Sequence, residues 1–219
     1  MAPSQAVEDY LKAIFRLDSE AGIVTASAIA ARLGVTGPSA TGMLQRLQSA
    51  GLVVRAEDHS VILTATGRSA ALRVVRRHRL IETFLHTVVG MPWHELHDEA
   101  EVLEHALSER LEARIDELLG YPTRDPHGDP IPSADGRDHT EAWPHRLADV
   151  PAGSTLSVER VSDEDPAALV HLAELGLVPG AEARVERLDP FDGPLWVDVA
   201  GHRHALGRGL ARMVSGSVR

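Results

Sequence analysis

The 219-residue sequence has no cysteine, only 4% aromatic residues and nothing like the run of about 18 apolar residues that a membrane helix needs. The missing thiol excludes disulfides, cysteine-ligated zinc, iron–sulfur clusters and cysteine nucleophiles, and it fits a reducing compartment. The missing apolar run excludes a transmembrane helix. Residues 1–10 are polar and carry Glu8 and Asp9, so they lack the basic start and apolar stretch of a signal peptide. The chain therefore reads as cytoplasmic, with no membrane partner. The shortage of aromatics argues against an aromatic groove for Pro-rich segments. A hydrophobic fraction of 43% is ordinary for a globular chain and excludes wholesale disorder.

A surplus of basic charge is also missing. The formal net charge is −10, which at first argues against a nucleic-acid partner. The charge is not evenly spread. Residues 1–79 hold ten basic and six acidic side chains, a balance of +4, so the rest of the chain carries −14. Halves of opposite sign point to different partners.

The pattern of elements divides the chain further. Apolar Val7, Tyr10, Leu11, Ile14, Phe15 and Leu17 follow helical spacing. An Ala-rich stretch over 26–33 ends near Gly34. Thr36 is a helix cap with Pro38 in the turn that it caps, and the helix that follows stops at Gly51. The β-branched runs 52–54 and 61–63 read as a hairpin. Helix–turn–helix followed by a hairpin is a winged helix-turn-helix pattern. Helical stretches follow over 67–89 and 92–120. Residues 124–151 are rich in Pro, Gly, Asp and His and include a linker. Short strands over 155–161, 183–188, 195–199 and 204–206, with a helix at 166–175, predict a small β-barrel. The fold class is mainly α. A winged helix-turn-helix DNA-binding domain spans 1–72 and a helical metal-binding and dimerisation domain 73–140. A linker at 141–152 leads to an SH3-like β-barrel at 153–219.

In a helix-turn-helix the second helix enters the major groove by its N-terminal residues. Here these are small and polar, so the backbone can approach the duplex. Thr36, Pro38, Ser39 and Thr41 lie at its start; Gln45 and Arg46, a turn later, can reach phosphates or base edges. Arg55 and the wing tip His59-Ser60 can touch the DNA backbone. Arg76, Arg77 and Arg79 read as a solvated face rather than a phosphate grip.

The central segment carries metal-ligand types. His78 and Glu82 are four apart on one expected helix; His97, Glu101, Glu104 and His105 follow on the next. Offsets of three and four place such side chains on one helical face, where Glu101, Glu104 and His105 can close on one ion. A single Glu/His pair is ordinarily a solvated hydrogen-bonded pair. Six such residues lie on adjacent helices, and their carboxylates would repel without a divalent cation. A zinc-protease motif is excluded, because His94 and His97 are only three apart.

These motifs resemble the diphtheria toxin repressor (DtxR) family of metal-dependent transcriptional repressors. The resemblance rests on Glu8-Asp9-Tyr10-Leu11, Thr36-Gly37-Pro38-Ser39, Arg77-His78-Arg79-Leu80 with Glu82, and His97 through His105. It also rests on the stretch 124–132 and, more loosely, on Leu175-Gly176-Leu177-Val178-Pro179-Gly180 and Phe191-Asp192-Gly193-Pro194 of an SH3-like (FeoA-like) module. The resemblance implies a non-enzymatic homodimer that binds a palindromic double-stranded operator, as one or two dimers, when loaded with a divalent metal. It implies an activating site at Asp9, Glu101, Glu104 and His105. The iron-sensing branch has Met and Cys at the positions of Asp9 and Glu101; carboxylates there match the manganese-sensing branch. Exchanging sulfur for carboxylate moves a site toward hard Mn²⁺, with Fe²⁺ and other divalent transition metals as alternatives. A second site implied by the resemblance uses His78, Glu82 and His97, joined by Asp125 and His127. A ligand from the barrel completes it, with Asp165 favoured over Asp163 and Glu164. In another manganese-sensor pattern a second acid follows Asp9 by one turn; here that position is Lys12, which disfavours a close two-metal arrangement. Gly42 stands where iron-sensing relatives carry a base-reading Gln.

The resulting expectation is a manganese-activated repressor of metal homeostasis genes, in which metal ties the first helix to the central domain. The rivals are an iron-dependent repressor of the same family and a di-metal hydrolase. The hydrolase lacks an evident nucleophile or phosphate-binding loop. His139, His145, His171, His202 and His204 read as surface residues.

Overall fold

The computed structural model describes residues 4–137 and 145–219. The chain folds as two compact units. The first combines residues up to 78 with 104–107 and the described part of 132–139; the second combines 79–103, 108–131 and the described part of 140–219.

The first unit begins with α1 (Gln5–Ala21), α2 (Ala26–Arg32) and α3 (Gly37–Ser49). The second and third of these helices start where a side chain takes up an orphan amide. Thr25 accepts from Ala28 N at the head of α2, and Thr36 accepts from Ser39 N at the head of α3, with Pro38 in its first turn. The wing is a hairpin of β1 (Val53–Arg55) and β2 (Val61–Leu63), paired antiparallel with Val53 opposite Leu63. Thr64 then caps α4 (Ala65–Phe84): its Oγ1 accepts from Gly67 N at 3.0 Å and donates to Gly51 O at 2.7 Å. Gly67 is required there, since a Cβ would lie 1.9 Å from Leu52 O. The helix therefore starts at the wing, two residues earlier than the sequence suggests. Leu11, Ile14, Phe15, Ile29, Leu44, Leu47 and Val53 form the buried core, each large apolar side chain stabilising the unit by roughly 1.5–3 kcal/mol.

The second unit takes α4 from Arg79 onward, a π-helical turn (Leu85–Val89) and a 3-10 turn (Trp93–Glu95). It continues with α5 (Leu96–Leu103) and α6 (Glu109–Leu118), the latter capped by Ser108. The chain then forms β3 (His145–Arg146), β4 (Thr155–Val161), α7 (Pro166–Glu174), β5 (Glu182–Leu188), β6 (Leu195–Val199), β7 (His202–Leu206), α8 (Arg208–Met213) and β8 (Val214–Val218). The strands make an antiparallel sheet in the order β3-β8-β4-β5-β6-β7 around Leu156, Val158, Leu169, Leu172, Val185 and Val197.

Two expectations are corrected here. The SH3-like domain is not a closed barrel: among the described residues the six strands form an open sheet. Closure would need β3 to pair with β7, but β3 has two residues and pairs only with β8, so both remain edges. Of the expected linker 141–152, residues 141–144 lie outside the described residues. Residues 145–149 belong to the sheet domain, with Leu147 and Ala148 in its core. His139 also lies outside the described residues. Among the described residues no helix is long and apolar enough to cross a membrane.

Candidate metal centres and nucleic-acid interface

The first donor set lies in the first unit. Asp9 projects from α1. Glu104 and His105 follow the end of α5 at Leu103 instead of continuing its face, as the sequence spacing suggests. No Gly or Pro stops the helix there. Buried polar pairs hold the turn instead. Glu104 is fully buried; its Oε1 lies 2.5 Å from Lys12 Nζ and its Oε2 2.6 Å from His78 Nδ1. Burial lowers the His78 pKa to about 4, despite the opposing pull of Glu104, so its imidazole is neutral near pH 7.

His105 is oriented by a residue that ligand spacing does not single out. Glu8 Oε2 lies 2.8 Å from His105 Nδ1. A carboxylate there accepts the Nδ1 proton and turns the Nε2 lone pair the other way. Among the described residues, that buried Nε2 has no hydrogen-bond partner. It lies 2.9 Å from Asp9 Oδ1 and 3.4 Å from Glu104 Oε1. The donor atoms of Asp9, Glu104 and His105 all fall within 4.8 Å of one another. Two carboxylates and an imidazole lone pair converging on one point fit a divalent cation. Glu8 was visible in the sequence as the neighbour of Asp9, but its role depends on where His105 lands.

The second donor set lies in the second unit. Glu82, on the last turn of α4, is buried, and its Oε1 lies 3.9 Å from His97 Nδ1 and 3.8 Å from His127 Nδ1. His97 Nδ1 also lies 3.0 Å from Asp163 Oδ2, and its Nε2 lies 3.6 Å from Glu101, one turn later on α5. Thus Glu101 meets His97 in this unit. Asp163, just after β4, is the residue of the sheet domain that reaches the cluster. Asp165 is occupied elsewhere: its Oδ1 caps α7 by accepting from Ala167 N and Ala168 N. The Asp-Pro pair at 165–166 is itself a helix-start signal that could have excluded it.

Asp125 and His127 lie on the loop after α6. Asp125 Oδ1 accepts from the amides of His127 and Asp129, each at 2.9 Å. Gly128 has φ +94°, and a Cβ there would lie 1.9 Å from Glu159 O, so only glycine lets this loop lie against β4. His127 stacks on Trp93 with ring centroids 5.1 Å apart, and its buried Nδ1 has no hydrogen-bond partner. The donor atoms of Glu82, Asp125 and His127 lie within 4.8 Å of one another. Burial raises the Asp125 pKa well above the usual carboxylate range, and the charges of Asp129 and Glu82 push it further. A cation would relieve that penalty.

The basic cluster at the end of α4 is not the solvated face that the sequence suggests. Arg76 and Arg79 are buried and donate to the carbonyls of Pro132 (2.7 Å) and Pro130 (2.5 Å) respectively. Arg79 also meets Asp129 at 3.2 Å, while Arg77 lies 3.9 Å from Glu8. In contrast, Thr36, Pro38, Ser39, Thr41, Gln45 and Arg46 are all exposed on α3 or at its cap. Thr36 and Ser39 share a 2.9 Å hydroxyl contact. A cleft of about 740 Å³ on the sheet domain is lined by Glu174, Glu182, Arg184, Asp198, His202 and His204 among others, with no aromatic residue.

The comparisons with known proteins match three successive segments of the chain. Residues 4–61 match the iron dependent repressor N-terminal DNA binding domain, and 64–133 match the iron dependent repressor metal binding and dimerisation domain. Residues 145–217 match the FeoA domain. Fold and donor sets thus define a metal-dependent transcriptional repressor rather than an enzyme. The chain is 35% identical over 211 residues, 90% of each protein, to the iron-dependent repressor IdeR of Mycobacterium tuberculosis. It is 39% identical over 128 residues, 58% of this chain and 57% of the relative, to the diphtheria toxin repressor of Corynebacterium diphtheriae. A manganese-dependent transcriptional repressor in complex with manganese superposes with TM-score 0.91 at 42% identity, covering 97% of this chain and 100% of that one. The chain belongs to the diphtheria toxin repressor, or iron-dependent repressor, family.

Proposed function

We propose that this protein is a manganese-activated, homodimeric repressor that acts in the cytoplasm on a palindromic operator of metal homeostasis genes. The observation that carries this reading is the sulfur-free donor set at His105, whose buried Nε2 faces Asp9 at 2.9 Å. Carboxylate and imidazole ligands suit Mn²⁺, which binds weakly in the Irving–Williams order and is selected by geometry and supply. Asp9, Glu104 and His105 are the proposed activating ligands, while Glu101 stands beside His97 of the second set. Glu82, His97, Asp163, Asp125 and His127 form the proposed second set. Thr36, Pro38, Ser39, Thr41, Gln45 and Arg46 contact DNA from α3. Because Asp9 stands on α1, cation binding there restrains the helix that packs beside the DNA-reading helices. The favoured population then has its two recognition helices at the spacing of successive major grooves.

The iron-activated reading is favoured by one finding, the 35% identity to IdeR over 211 residues. One experiment separates the two. Duplexes are selected from a random pool with Mn²⁺, with Fe²⁺ under anaerobic conditions, and with no metal; affinity for the selected operator is then measured in each state. The proposal expects Mn²⁺ to raise affinity and to do so at lower free concentration than Fe²⁺. Equal affinity with and without metal would end the switch model, and activation by Fe²⁺ alone would favour the iron reading.

A further inference from the structure

Lys12 follows Asp9 by one turn of α1 and is only 5% exposed. A buried ammonium is costly unless a carboxylate meets it. Lys12 meets Glu104: its Nζ lies 2.5 Å from Oε1, the same oxygen that lies 3.4 Å from His105 Nε2. The other Glu104 oxygen faces His78 Nδ1 at 2.6 Å. The carboxylate oxygen turned toward the donor set is therefore already held by a cation that belongs to the chain. Arg77 lies 3.9 Å from Glu8, the residue that orients His105.

We propose that Lys12 is a built-in competitor that sets the metal threshold of the His105 donor set. This inference rests on reading that set as a metal site. In the metal-free protein Lys12 neutralises Glu104 and keeps the cluster from repelling itself. An arriving divalent cation must take Oε1 from the ammonium, or share it with a positive charge close by. Either raises the free metal concentration needed for occupancy. The repulsion is large enough to matter. A tenfold change in affinity is about 1.4 kcal/mol, and a divalent ion a few Å from an ammonium exceeds that several-fold even at an effective dielectric of about 20.

The test uses the full-length protein with Mn²⁺ alone, titrated in competition with a fluorescent chelator. The binding step lost in D9A identifies this cluster. K12M keeps the length of the side chain and removes the charge; K12R keeps the charge. K12M should bind Mn²⁺ at that step at least about tenfold tighter, while K12R stays within about threefold of wild type. The metal-free melting temperature of K12M should fall by several degrees, because Glu104 is left buried without its counter-charge, and Mn²⁺ should raise it by more than in wild type. Should K12M fail to fold without metal, K12Q, which retains a donor for Glu104, serves in its place with the same expectation. Equal or weaker Mn²⁺ binding by the neutral variants would overturn the proposal and make Lys12 a support for Glu104. If wild type and D9A bind Mn²⁺ identically, the metal-site reading itself falls, and the proposal falls with it.

Discussion

The two donor sets balance their negative charge in different ways. In the first unit, Lys12 and His78 hold Glu104, and the flexible ammonium of Lys12 lies on a proposed ligand atom. In the second, guanidinium groups brace the surrounding loop. Arg79 and Arg160 clamp Asp129 at 3.2 and 2.9 Å. Burial alone would raise the Asp129 carboxyl, but these two charges outweigh it and hold the pKa below the ordinary value. Arg79 comes no nearer than 3.6 Å to Asp125 by its Nε, whose carboxyl stays raised. A compact ammonium can be exchanged for a metal ion; planar, multiply bonded guanidinium groups form scaffold. On the proposed function, the first set responds to metal and the second holds the fold.

The largest effect should come from removing Asp9. D9A is expected to abolish the metal-dependent gain in operator affinity, a coupling that for such switches is typically about 5–150-fold. Wild type in excess chelator should fall to the same level in a gel-shift or anisotropy titration. Next comes the second set. E82Q removes the carboxylate placed between His97 and His127, so it should reduce the thermal stabilisation by Mn²⁺, about 2.7 kcal/mol for a ligand at 100 times its Kd. The D9A-sensitive binding step should remain. If E82Q instead removed the switch and left the stabilisation intact, the contrast between the two sets would be reversed. A smaller effect is expected from R46A: operator binding should weaken on every sequence, and its salt slope should fall by about 1, with Mn²⁺ affinity unchanged. The smallest is D165A. It should cost about 1 kcal/mol through the lost α7 cap and leave metal uptake unaltered, whereas D163N should weaken the second set; calorimetry with and without Mn²⁺ distinguishes them.

Much of the DNA-binding domain was legible because its signals are local. Thr36, Pro38 and Gly51 bound α3 by chemistry that acts within one turn. The donor residue types were legible for the same reason. Their partners were not, because long-range burial decides them. Nothing near residue 104 announces that α5 ends at Leu103; the pairing of Glu104 with Lys12, 92 positions earlier, overrides helix propensity. Arg76 and Arg79 look like surface charges until the carbonyls of Pro132 and Pro130 appear beside them. Asp163 and Asp165 differ only in that one of them precedes a proline. The open sheet was hidden by its outer members. β8, with the sequence Val-Ser-Gly-Ser-Val, and the two-residue β3 carry little strand signal, yet β8 lies between β3 and β4.

The net charge takes on a local meaning from the same comparison. The acidic part of the chain after residue 79 includes the donor carboxylates Glu82, Glu104, Asp125 and Asp163, while the exposed face of α3 carries Arg46 beside neutral polar residues. Few phosphates are neutralised by such a face, so weak non-specific binding is expected, and the proposed function expects operator affinity to depend on the shape that the cation favours.

The most direct measurement is the anomalous scattering of manganese in crystals of the Mn²⁺-loaded protein. The account predicts a peak ligated by Asp9, Glu104 and His105, and a separate peak beside Glu82 and His97. A map with manganese only near Glu82, or with none at His105 Nε2, would contradict it.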